Sequence, residues 1–183
     1  RKAVFTGMEM VAKAVMVTMG PKGKNVLLGK SYGAPVPTND GVTVAKEIDF
    51  EDQYHNVGAA IIKEAADKTN KQAGDGTTTT TVLLYGIANE GQRYIRAGVN
   101  PFALSKGLHK GVNKIIEELA LKATPVSNKE EIKQVASISA NNDEEIGELI
   151  ASAMEKVSTE GVITVEEAKG TETYVDVVEG MQF

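Results

Sequence analysis

Ala73-Gly74-Asp75-Gly76-Thr77-Thr78-Thr79-Thr80-Thr81 is the stretch from which the rest of the chain is read. Before it, Val57, Ile61, Ile62, Ala65 and Ala66 fall at the spacing of one helix face. After it, Val82, Leu83, Ile87 and Ile95 begin a second helical pattern. Two glycines and an aspartate therefore stand at a helix-to-helix corner, and the second helix opens on a run of threonines. Each threonine costs roughly 0.5 kcal/mol against alanine in a helix, so the run costs on the order of 2–3 kcal/mol of local propensity. Hydroxyls kept at that cost imply a use.

A polyphosphate is one use. The free N–H groups of a helix N-terminus, with the dipole behind them, attract an anion. Glycine lets the backbone approach the ligand, and hydroxyls add donors. Asp75 would repel phosphate directly but can hold a Mg²⁺ that bridges phosphates. The plainer alternative is a connecting loop: Gly74 ends one helix, Asp75 or Thr77 caps the next, and the threonines are a solvated first turn. The chain contains no G-x-x-x-x-G-K-[ST] loop. It is not G-x-G-x-x-G either, because Thr79 stands where the third glycine belongs.

Composition removes other classes. The 183 residues make one medium domain or one and a half small ones. A net charge of −5 argues against a general nucleic-acid binder. The chain has no Cys, hence no disulfide and no thiolate metal site. Its two histidines, His55 and His109, are far apart in sequence, which disfavours a His-based metal centre or triad. No apolar run approaches the ~18 residues of a membrane span. Arg1 to Phe5 does not read as a signal peptide, and the absence of an initiator Met reads as a trimmed N-terminus. The composition fits a soluble, Gly-rich, intracellular α+β protein.

Outward from the corner, Val4, Phe5, Met8, Val11, Ala12, Val15 and Met16 predict a buried helix over 2–18, stopped by Gly20-Pro21. Asn25 to Leu28 reads as a short strand. Gly33 to Pro37 reads as a turn and an extended arm whose prolines confine it to an edge, so 24–38 is expected to be a projecting hairpin. Thr38-Asn39-Asp40-Gly41 is a polar turn next to a possible helix start, for which an Asx-turn and cap is the simplest reading. Helices are expected over 51–73, 77–97 and 100–123, the last begun by Asn100-Pro101 with Leu104, Leu108, Val112, Ile115, Ile116 and Leu119 on one face. His109 lies beside that stripe and reads as solvated or partly buried. After the break at Thr124-Pro125, Ser127 with Glu130, and Asn142 with Glu145, read as capping boxes of two further helices, the second ending near Gly161. Residues 162–165 and 173–178 read as two strands about a turn near Gly170.

Six motifs now stand in order: Thr18-Met19-Gly20-Pro21-Lys22-Gly23, Asp40-Gly41-Val42, Gly74 to Thr79, Ile138-Ser139-Ala140-Asn141, Glu160 to Val165, and Val178 to Phe183. Over essentially its whole length the chain resembles the N-terminal third of a group I chaperonin, the GroEL family. The resemblance implies a mostly α fold with small β-hairpins. Residues 1–122 would be the N-terminal part of the equatorial, ATP-binding helical bundle. Residues 123–178 would be the first part of an α+β intermediate hinge domain, and 179–183 the start of the apical domain. It implies an ATP-driven chaperone subunit in homo-oligomeric, seven-membered rings, stacked in pairs. Unfolded polypeptide and a co-chaperonin would bind the missing apical domain, with no nucleic-acid or membrane partner. A bacterial cytoplasm, or an organelle matrix in a eukaryote, would be its compartment.

The resemblance also implies roles. Thr18, Met19, Gly20 and Pro21 would border the nucleotide, with Thr18 near K⁺. Asp75 would ligate Mg²⁺, and Gly74, Gly76, Thr77, Thr78 and Thr79 would hold the phosphates of ATP. Asp40 would serve catalysis beside the γ-phosphate and its attacking water, with Asn39 at the same corner. Ser139 would approach the nucleotide from the intermediate segment. The family's main water-activating aspartate would lie beyond Phe183, so this chain alone is expected to be nearly silent as an ATPase. Two positions depart from the family pattern: Asn39 stands where Lys is usual, a form similar to archaeal-type chaperonins, and Thr80 stands where Ala is usual. A non-catalytic ring-forming or holdase module is the alternative; ring assembly without a nucleotide response would favour it.

Overall fold

In the computed structural model the described residues are 1–30, 33–157, 162–166, 170 and 173–178. The apolar stripe that begins at Val4 forms α1 (Lys2–Met16) and buries Met8, Val11, Ala12 and Val15. It ends two residues earlier than expected. Thr18 N–H bonds to Val15 O and Met19 N–H to Met16 O, so the last turn tightens before Gly20. Strands β1 (Val26–Leu28) and β2 (Val36–Thr38) then pair antiparallel, with Val26 opposite Thr38 and Leu28 opposite Val36. The expected hairpin is therefore present, with Pro37 in its second arm.

Next come α2 (Gly41–Lys46), α3 (Gln53–Ala73), α4 (Thr77–Arg96) and α5 (Pro101–Lys122). Asp52 caps α3 by accepting from Tyr54 N and His55 N. Met8, Val11, Val15, Val44, Ala45, Ala59 and Ile62 form one core shared by α1, α2 and α3, with Leu84 and Ala88 of α4 against it. The α1–α3 crossing is close because glycine stands on both sides. A Cβ on Gly7 would overlap the His55 carbonyl, and one on Gly58 would overlap the Val4 carbonyl. By contrast, no residue of α5 is buried. An open apolar groove of about 480 Å³ runs along α4 and α5, lined by Leu83, Ile87, Tyr94, Leu104 and Leu108 among others. No helix among the described residues is long and apolar enough to cross a membrane.

The chain divides into two compact units, 1–113 and 114–183. The described part of the second contains α6 (Lys129–Ser139) and α7 (Glu144–Lys156), packed on each other. Gly147 permits the approach, since a Cβ there would overlap the Ser137 hydroxyl. Lys129 and Lys133 reach across to Glu148, and Lys129 also to Glu155.

Three local expectations are corrected here. The caps sit one residue later than read: Asn128 accepts from Glu131 N, and Asp143 from Glu145 N and Ile146 N. Ser127-Asn128 and Asn142-Asp143 each offer two good cap residues in succession, and the rule for the box alone cannot rank them. Helix α7 ends at Lys156, where Val157 turns extended, and not near Gly161. Residues 162–166 and 173–178 carry no strand. Val162, Val165 and Tyr174 are all more than 70% exposed. Short exposed arms are marginal in water, whatever their β-propensity. The Glu179 to Phe183 end of the last motif, and Glu160-Gly161, lie outside the described residues.

Candidate functional site

The corner between α3 and α4 is built on two left-handed glycines. Gly74 (φ 70°) closes α3, donating its N–H to Asn70 O at 2.9 Å. Gly76 (φ 81°) is the N-cap of α4 and has no side chain with which to cap it. The first N–H groups of α4 therefore lack the acceptor that Ser, Thr or Asp would have supplied. Asp75 lies between the glycines, exposed, with Oδ1 accepting from Gly76 N at 2.6 Å. This leaves a helix N-terminus with open donors beside one solvent-facing carboxylate, an arrangement suited to an anion and its cation.

The threonines divide by direction, about 100° apart around the helix. Thr77 and Thr81 are buried, and the Thr81 hydroxyl donates back to Thr77 O at 3.0 Å. Thr80 turns toward α3, its Oγ1 lying 3.0 Å from Thr69 Oγ1. Thr79 is exposed, and Thr78 is half-buried. The hydroxyls of Thr80 and Thr81 are thus engaged within the fold. The run as a whole is not kept for one ligand, as its propensity cost had suggested.

Thr78 faces the second turn singled out in the sequence. A Cβ on Gly41 would overlap Thr78 Oγ1 and lie 3.0 Å from Thr78 N, so only glycine lets the start of α2 reach the first turn of α4. Immediately before Gly41, Asp40 caps α2: its Oδ2 accepts from Thr43 N at 3.0 Å and from the Thr43 hydroxyl. The Asx-type cap expected at this turn is present, and Asp40 is nonetheless exposed. Asn39, also exposed, precedes it. The Asp40-Gly41 and Gly74–Thr79 motifs, more than thirty residues apart in sequence, therefore adjoin through the backbone.

The Thr18–Gly23 motif forms a tight turn after α1, a helix that packs on both α2 and α4. Thr18 Oγ1 donates to Val15 O at 2.8 Å, keeping lone pairs that a cation can use. Met19, Gly20 (φ 78°) and Pro21 are exposed. The turn closes with Gly23 N–H on Gly20 O at 2.8 Å. Gly23 is required there, since a Cβ would overlap the Thr18 carbonyl; sequence reading had treated it as part of a motif without a reason of its own. Ser139 is the exposed last residue of α6, in the second compact unit.

Among the described residues no three acidic or His side chains gather into a metal cage. At phosphates Mg²⁺ is usually held by one or two carboxylates together with water and phosphate oxygens. Asp75 fits that role, being a lone exposed carboxylate at a helix N-terminus.

Residues 11–183 match the model of the TCP-1/cpn60 chaperonin family. Among solved structures the fold is similar to the chaperonin gp146 from bacteriophage EL 2 (Pseudomonas aeruginosa), crystallised in the presence of ATP-BeFx. That match has a TM-score of 0.66 at 30% identity, over 82% of this chain and 26% of that one. It is also similar to a group III chaperonin in the open state, with a TM-score of 0.70 at 25% identity, over 85% of this chain and 31% of that one. The chain thus spans between a quarter and a third of the length of these relatives.

Proposed function

Because the chain belongs to the TCP-1/cpn60 chaperonin family, we propose that it carries the phosphate- and Mg²⁺-binding part of an ATP-dependent chaperone subunit, of group I type and cytoplasmic. The observation that carries this reading is the contact of Gly41 with Thr78, which joins the Asp40 corner to the Asp75 corner. The phage chaperonin crystallised with ATP-BeFx supports nucleotide as the ligand. In this reading 1–122 is equatorial, 123–178 intermediate and 179–183 the start of the apical domain.

The chain's own residues would act as follows. The open N–H groups at the start of α4, with the Thr78 and Thr79 hydroxyls, orient the terminal phosphates of ATP. Asp75 would hold Mg²⁺, which would supply charge neutralisation at the phosphate oxygens. Asp40, fixed by Thr43, presents a carboxylate at the γ-phosphate and its attacking water. Met19, Gly20 and Pro21 would border the nucleotide, and Thr18 would contribute to a K⁺ site. Activating the water contributes roughly 10²–10⁴-fold. The residue with that main role is expected outside this chain, so the 183 residues alone would turn over ATP very slowly.

The deciding measurement is calorimetric titration of Mg-ATP into the full-length protein. Asp75→Ala is expected to weaken binding at least tenfold, since it removes a charged ligand of the cation (about 1.4 kcal/mol or more). Unchanged affinity would exclude the assigned role.

Ring assembly belongs to the same reading. Leu27 is 70% exposed on β1, and among the described residues the sheet has two strands. An edge of this kind is satisfied by pairing with another chain. Deleting 24–38 from the full-length protein should leave monomers in light scattering; ring-sized particles would exclude the hairpin as a subunit contact.

A further inference from the structure

Thr80 adds a fifth threonine that no phosphate contact explains. Its hydroxyl lies 3.0 Å from that of Thr69, one turn before the end of α3. The direction of this bond follows from counting protons. The Thr69 hydroxyl donates to Ala65 O at 3.0 Å, and a hydroxyl has one proton to give. Thr80 is therefore the donor and Thr69 the acceptor, in a relay from α4 through α3 to the Ala65 carbonyl. The other end of the Thr69 side chain also matters. Its methyl, Cγ2, lies 4.0 Å from where a Cβ on Gly76 would be.

These contacts sit where the backbone is least determined. Residues 74–76 contain two glycines at positive φ, and glycine supplies no stiffness of its own. Thr80 N–H bonds to Gly76 O at 2.9 Å, so Thr80 is tied to the corner by its backbone and to α3 by its side chain. Thr80 faces α3, while Thr78 faces Gly41.

We infer that Thr69 and Thr80 are a positioning pair for the Asp75 corner: their hydrogen bond fixes the start of α4 against α3, and thereby sets Asp75 and the open N–H groups for Mg-nucleotide. This rests on the nucleotide reading given above. Neither residue touches the ligand. Their loss acts through the placement of Asp75.

The test uses the full-length protein and titration of Mg-ATP with Thr80→Val, Thr69→Val, the double variant, Thr80→Ser and Asp75→Ala. Valine keeps the shape of threonine and removes the hydroxyl; serine keeps the hydroxyl. Thr80→Val is expected to weaken Mg-ATP roughly two- to tenfold, the worth of one neutral hydrogen bond. Thr80→Ser should restore affinity, and the double variant should be no weaker than the worse single one. A merely structural bond would lower the melting temperature and leave affinity unchanged. Wild-type affinity in both valine variants, with Asp75→Ala weakened, overturns the positioning role alone. Wild-type affinity in Asp75→Ala overturns the nucleotide reading and this inference with it. If Thr80→Val does not fold, Thr69→Val breaks the same bond from the other side and decides.

Discussion

Helices α1 and α5 read alike in sequence and end in opposite situations. Each carries an apolar stripe at helical spacing. In α1 the stripe is closed over by α2, α3 and α4, and Val11 and Val15 are fully buried. In α5 Ile115, Ile116 and Leu119 are each about 60% exposed, and no residue of the helix is buried. Periodicity states that a face is to be covered; it does not state by what. The close α1–α3 crossing depends on Gly7 and Gly58, single residues that an apolar pattern does not weigh.

Paired truncations break the comparison most sharply. Ile62 is fully buried against α1, and Ile62→Ala should cost the 183-residue chain about 2–5 kcal/mol. Leu119→Ala on α5 should change it by no more than about 0.5 kcal/mol, as at other exposed sites. Urea unfolding of both variants is the check. Equal losses would mean that the α5 face is covered within this chain in solution.

A face left open has a second consequence. The groove of about 480 Å³ between α4 and α5 is apolar, and contiguous apolar surface of this kind favours association. The 183-residue chain should self-associate with rising concentration in sedimentation velocity. Ile87→Glu or Leu108→Glu, on opposite walls, should shift it toward monomer without lowering helix content. A wild-type chain that stays monomeric across the micromolar range would show the groove to be inert.

Much of this was legible from residues alone, and what was missed has a physical cause. Helices α1, α3, α4 and α5 followed from apolar spacing and from Gly74, Gly98 and Asn100-Pro101 as punctuation. The hairpin followed from Pro35 and Pro37. The strands expected at 162–165 and 173–178 failed because β-propensity reports fit to a half-buried surface, and every described residue of these segments is exposed. At the site, both motifs were visible separately. Their adjacency depends on α2 meeting α4 at Gly41, a tertiary contact with no local signature. The five threonines looked like one feature because they are consecutive, yet helical rotation sends Thr78, Thr80 and Thr81 to three different neighbours.

The smallest expected effect concerns charges on the same two regions. On α5 the ion pairs of Lys114 with Glu117 and Glu118 stay within the helix, exposed. On α3, Asp67 accepts from Lys46 of α2 at 2.7 Å and from Lys71 at 2.7 Å, so one carboxylate joins two elements next to the α1 core. Lys46 first, and Lys71 with it, hold the Asp67 carboxyl down to about 2 from an ordinary 3.8. A carboxyl whose pKa is lower folded than unfolded stabilises the fold at pH above its unfolded value. That contribution should be intact above about pH 4 and disappear as pH falls from there through about 2, where Asp67 becomes protonated in both states. Because the pair lies near the surface, salt screens it and the effect is modest. Asp67→Asn should therefore lower the urea midpoint slightly at pH 6, and the two proteins should converge as the pH approaches 2. Lys114→Gln should leave the midpoint almost unmoved at either pH. A difference between Asp67→Asn and wild type that widened on acidification would mean that Asp67 is held by something other than Lys46 and Lys71. The polar link from α2 to α3 would then rest on Lys63 of α3, which donates to the Lys46 carbonyl and, just past the end of α2, to Asp49.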